Sequence, residues 1–152
     1  MAKEIKETRI VNDSWDLGLY KWKVEADGLK LLAEGLKDKK ILGKKCGTCG
    51  MVYVPGVSYC RRCFVDIGEV VEVKTTGQVR TFTVNLADVR GNPLDPQVIG
   101  CFQLDGSDSW LMGTLEIDDW KKVHVGMRVK IRFREKTTGE LADMEAWEPL
   151  GG

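Results

Sequence analysis

Apolar positions recur with two different periods along this chain of 152 residues. Leu29, Leu32, Ala33 and Leu36 stand three or four apart, the spacing that lines one face of an α-helix. Asp27 ahead of them is a helix-capping residue type, so the pattern predicts a helix over 28–40. Further upstream, Trp15, Leu17, Leu19, Tyr20 and Trp22 crowd large apolar side chains into a short stretch that has no strand pattern of its own. They are expected either to cover the main domain as a lid or to dock on a partner chain, where amphipathic aromatics are favoured anchors. From residue 69 the pattern becomes β-like. Strands are predicted over 69–74, 78–84, 98–104, 110–115, 128–134 and near 141–147. In the second of these, Val79, Thr81 and Thr83 alternate with Arg80, Phe82 and Val84. Thr75-Thr-Gly77 marks a turn or bulge, while Arg90 to Pro93 and Pro96 mark a longer loop.

Five or six short strands with turn punctuation suggest a closed barrel, which removes exposed sheet edges. Gly77, Gly100 and Gly113 lie in or beside strands, where a small barrel coils sharply. A five-stranded OB-fold barrel fits this length. The fold class expected is therefore mainly β, with an N-terminal helical arm over 1–43, a ribbon over 44–68 and the barrel over 69–152.

The chemistry concentrates in the ribbon. Cys46, Cys49, Cys60 and Cys63 form two C-x-x-C pairs separated by ten residues. Two loops that each present two thiolates make a tetrahedral sulfur cage, and Zn²⁺ suits it because a filled d-shell imposes no other geometry. A structural zinc site in a compact, rubredoxin-like ribbon is the leading reading. An iron site and a pair of disulfides remain as alternatives. Gly50 follows the first pair and can take the left-handed turn such a knuckle needs. Phe64 follows the second pair, so a less regular loop is expected there. Met51 to Val54 is a short apolar run, and Pro55-Gly56 turns the chain back to the second knuckle. A ribbon this short cannot bury a useful core. Metal ligation, on the order of 10–16 kcal/mol in zinc-finger peptides, would supply most of its folding free energy.

Composition removes several function classes. Lys plus Arg and Asp plus Glu both total 23, a formal net charge of zero, whereas general nucleic-acid binders carry a basic excess. Arg128, Lys130, Arg132 and Arg134 still share one strand face, opposite Val129, Ile131 and Phe133. They would either hold phosphate groups or pair with neighbouring acids such as Glu135, Glu145 and Glu148. The single histidine, His124, is expected to be structural, and Cys101 to act as a small core hydrophobe. Charges near Met1 have no apolar run behind them, and no stretch approaches the ~18 apolar residues of a membrane span. The expectation is a cytoplasmic protein with reduced thiols and no membrane partner.

In combination, these motifs resemble a known family. The run Cys46-Gly-Thr-Cys-Gly50-Met-Val-Tyr-Val-Pro55, the pair Cys60-x-x-Cys63 and the strand Thr76-Gly-Gln-Val-Arg-Thr-Phe-Thr-Val84 look like the acyl-CoA-associated zinc-ribbon/OB-fold proteins, the DUF35 family. Val98 to Asp105 and Val125 to Ile131 match its barrel pattern. The resemblance covers about residues 27–150. It implies a non-catalytic subunit that partners a thiolase-superfamily enzyme, or a related acyl-CoA hydratase or lyase, and helps hold the CoA ester. The partner would supply the nucleophilic cysteine and acid/base groups. Only Cys46, Cys49, Cys60 and Cys63 carry over, as the metal ligands. The aromatic start is longer than the family core requires. It points to a subgroup with an extended partner contact, such as the small subunit of benzoylsuccinyl-CoA thiolase. The competing expectation is a module for single-stranded nucleic acid, a role in which OB barrels and zinc ribbons both serve.

Overall fold

The computed structural model describes residues 27–151. The aromatic cluster Trp15 to Trp22 lies outside them. The helix α1, Asp27–Lys37, buries Leu32 and Leu36 completely and leaves Leu29 partly exposed. It ends earlier than the apolar pattern predicts. Lys39 turns left-handed (φ 56°) and the Lys40 amide bonds back to the Gly35 carbonyl at 2.9 Å.

Three strands then form an antiparallel sheet in the order β2-β1-β3, with β1 Ile41–Lys45, β2 Val52–Tyr53 and β3 Glu69–Val73. Two of these strands depart from the pattern reading. Residues 41–43 are expected in the helical arm, but Ile41 and Gly43 are buried in a strand that pairs on both sides. The strand expected at 69–74 forms, yet its neighbour is β1 and not a barrel strand. Lys45 opposes Glu69 in this register, and their side chains form an ion pair at 3.8 Å.

The closed barrel is built from β4 Thr76–Ala87, β5 Pro93–Leu104, β6 Trp110–Leu115, β7 Arg128–Phe133 and β8 Met144–Pro149. Its order β4-β5-β6-β8-β7, with β7 returning to β4, is the five-stranded OB arrangement. A register shift between Val79 and Thr81 breaks the alternation of β4. Val79 points inward, but beyond the bulge Phe82 and Val84 pack on the core while Thr81 and Thr83, which share Val79's side of a regular two-residue alternation, face out. The β4 and β5 strands run on past the barrel as a two-stranded hairpin, so Pro96 sits in a strand and not in a loop. It is tolerated because that segment is exposed and needs no further ladder partner. Inside, the Phe102 and Trp147 rings stack at 4.4 Å between centroids. Gly113 makes room for them: a Cβ there would lie 2.7 Å from Trp147 Nε1.

Helix, ribbon and barrel share one core. Leu32, Leu36, Ile41, Val54 and Val73 belong to the same buried cluster as Val79, Phe102, Leu104, Val129, Ile131 and Trp147. The turn between β5 and β6 adds polar ties. Asp108 and Val52 exchange bonds at 2.8 Å in both directions, and Ser109 Oγ accepts from the Val54 amide at 2.6 Å while lying 2.9 Å from the Val54 carbonyl oxygen.

Candidate metal centre

The two cysteine pairs sit in matching knuckles at one end of the ribbon sheet. In the first, the Cys46 amide donates to the Met51 carbonyl and the Gly50 amide to the Cys46 carbonyl, both at 2.8 Å. In the second, the Cys60 amide donates to the Val65 carbonyl at 2.7 Å and the Phe64 amide to the Cys60 carbonyl at 2.8 Å. Gly50 (φ 75°) and Phe64 (φ 55°) occupy the same left-handed position. The second knuckle is therefore as regular as the first, contrary to expectation. Its regularity requires a phenylalanine in a conformation that costs a side-chain-bearing residue roughly 1–2 kcal/mol.

These loops bring the ligand atoms of Cys46, Cys49, Cys60 and Cys63 within 4.8 Å of one another. A tetrahedron with Zn–S bonds near 2.3 Å has edges of about 3.8 Å, and the Cys49 and Cys60 sulfurs stand 3.6 Å apart. Cys46 and Cys60 are buried, Cys49 and Cys63 half-buried, and all are free thiols. The arrangement is one four-sulfur cage and not two disulfides. The cage has its own outer support. The Tyr53 hydroxyl lies 3.4 Å from Cys60 Sγ, and the Cys63 amide donates to the same sulfur at 3.4 Å. The Tyr53 bond is the main cause that brings the Cys60 thiol down to about 6. Its hydrogen bond with Cys49, reinforced by burial, pushes Cys63 up to about 12. Four sulfurs this close cannot all ionise without a cation among them, which is the electrostatic demand a dication meets. Tyr53 was missed in the sequence, where Met51 to Val54 reads only as an apolar run.

Comparison with known proteins agrees with this geometry. The rubredoxin-like zinc ribbon domain of ChsH2 matches residues 33–68, and the C-terminal OB-fold domain of ChsH2 matches residues 70–134. A crystal structure of a DUF35 protein of unknown function from Sulfolobus solfataricus superposes with a TM-score of 0.67 at 30% identity, covering 81% of this chain and 85% of that one. This chain belongs to the DUF35 family. A DUF35 domain-containing scaffold protein from Methanocaldococcus jannaschii is 27% identical over 97 residues, 62% of this chain and 67% of that protein. The fold is also that of the structure described as Ltp2-ChsH2(DUF35) aldolase, with a TM-score of 0.62 at 20% identity, covering 87% of this chain and all of that one. The cage of this DUF35 chain is thus a structural zinc site, and no ligand position is left open for catalysis.

The other candidate residues do not join the cage. On β7, Arg128 forks onto Asp105 (2.7 Å from Nη1), Lys130 pairs with Glu148 at 2.9 Å, and Arg132 holds both Glu116 and Glu145. The strand face resolves toward pairing with acids, and two of those partners, Asp105 and Glu116, were not anticipated. Arg134 is exposed at the strand's end. His124 is exposed, with Nδ1 3.0 Å from the Lys122 carbonyl oxygen and no thiol or hydroxyl partner. Cys101, expected in the core, lies on the outer face of β5 and is half-buried, because Gly100 and Phe102 take the inward positions. Between ribbon and barrel, Leu29, Met51, Val54, Val57 and Trp110 line a groove of about 950 Å³ among the described residues. No described helix is long and apolar enough to cross a membrane.

Proposed function

We propose that this chain is a non-catalytic subunit of a heteromeric acyl-CoA thiolase, holding a catalytic partner and shaping the site where the CoA ester binds. The observation that carries the reading is the closed zinc cage rigidly joined to an OB barrel through a common core. Four of the five cysteines are committed to metal, and the lone histidine bonds a backbone carbonyl. The densest chemistry in the described chain is thus spent on geometry. The scaffold name of the Methanocaldococcus jannaschii relative and the aldolase complex of the fold neighbour point the same way. The groove between ribbon and barrel has apolar walls suited to the pantetheine and acyl portions of a CoA ester. Benzoylsuccinyl-CoA is the substrate this reading names, and a cytoplasmic complex is its setting.

Co-purification from the native source tests it. The untagged chain should travel with a thiolase-superfamily subunit, and the complex should cleave a 3-ketoacyl-CoA far faster than either part. Comparable turnover by this chain alone would refute the accessory role.

A further inference from the structure

The second zinc knuckle carries a feature that metal binding does not require. Phe64 occupies the left-handed position that glycine fills in the first knuckle, yet the residue is 81% exposed. Strained backbone conformations cluster at binding and functional sites. Glycine at this position would relieve the strain, and no buried packing would be lost. Around Phe64 the same hairpin exposes Tyr59 and Val65, together with Arg61 and Arg62. The Tyr59–Asp66 bridge and the four-sulfur cage fix the hairpin's shape.

We infer that this knuckle tip is a docking knob, with Phe64 as its apolar anchor, for the catalytic subunit of the complex. The inference rests on the accessory reading above. Aromatic and arginine side chains dominate the energetic centres of protein interfaces, and a preformed knob loses little conformational entropy on binding. The two arginines fix the chemistry of the receiver as an apolar pocket with carboxylates on its rim. A second copy of this chain fits poorly. A self-complementary contact centred on the tip would set Arg61 and Arg62 against the same two arginines of the other copy, like charge facing like charge. Nucleic acid fits poorly too, because it needs a basic track. Arg128, Lys130 and Arg132 of the barrel are already neutralised by carboxylates.

The test titrates the zinc-loaded chain against the co-purifying thiolase-superfamily subunit by calorimetry. Phe64→Gly should keep its zinc and melt no lower than the parent chain, yet bind at least tenfold more weakly. Arg61→Glu with Arg62→Glu should also weaken binding, with a smaller loss in high salt. If Phe64→Gly sheds its metal, Phe64→Asn serves instead, since asparagine tolerates the left-handed turn. Unchanged affinity in a zinc-loaded variant overturns the knob and leaves the accessory role standing. A parent chain that binds no thiolase-type subunit overturns both. A self-dimer dissolved by Phe64→Gly, or loss of oligonucleotide binding with the subunit still held, would also overturn it.

Discussion

Tyr53 shows how much of the metal site lies outside its ligands. Its hydroxyl supports the Cys60 sulfur and lowers that thiol's pKa, so Tyr53→Phe should move it back toward the ordinary thiol range. A proton then competes longer for the sulfur. Metal loading should require a higher pH, and zinc affinity at neutral pH should fall by roughly tenfold, measured by competition with a chromogenic chelator. The four ligands were legible because two C-x-x-C pairs are local and chemically specific. Tyr53 was not, since nothing in the run Met51 to Val54 signals that one residue faces a sulfur across the hairpin. Phe64 was hidden for a different reason. Local rules assign left-handed turns to glycine, and the chain sets a bulky residue there against that preference.

Secondary elements were legible where their pattern is local and illegible where the partner is distant. The barrel strands showed alternation or apolar runs, and the helix its spacing. The bulge in β4 reversed which of its residues face inward, and a two-fold pattern cannot reveal where its phase slips. The assignment of β3 depended on β1, about thirty residues earlier in the chain, and β1 itself is too short and lysine-rich to read as a strand. The end of β5 is tied to the start of β7 by the Asp105–Arg128 pair, which carries a pH dependence. The Arg128 guanidinium, aided by the Thr76 hydroxyl, holds the Asp105 carboxyl down at about 2 against the attraction of burial for the neutral form. A depressed carboxylate stabilises the fold fully above its unfolded value near 4, and that support is lost as pH falls toward 2. Asp143 acts with the same sign. Burial pushes its pKa up, but the amides of Thr138, Gly139 and Glu140 outweigh this and hold it below the usual range. Chemical denaturation from pH 6 down to pH 2 should show declining stability below about pH 4. Asp105→Asn should flatten that decline.

At the scale of the molecule, the shared core changes what metal removal does. A barrel with its own apolar strands would outlast the loss of zinc if ribbon and barrel packed separately. Instead Val54 and Val73 from the ribbon sit in one cluster with Phe102 and Trp147 of the barrel. Stripping the zinc, by chelation or by Cys46→Ser or Cys60→Ser, should therefore lower the barrel's own melting point. A drop of about 5 °C or more, followed through the loss of β-strand circular dichroism, is the expected outcome for a loss of a few kcal/mol. An unchanged barrel transition would show that the two parts melt independently. The barrel also has an uneven circumference. Four of its five seams are antiparallel ladders of several residues, but β6 and β8 run parallel and meet at the single pair Leu115 and Trp147. That seam is the cylinder's clasp. Opened there, the barrel becomes a curled five-strand sheet that keeps every other strand pairing, so the amides facing that seam should exchange ahead of those held in the other four ladders.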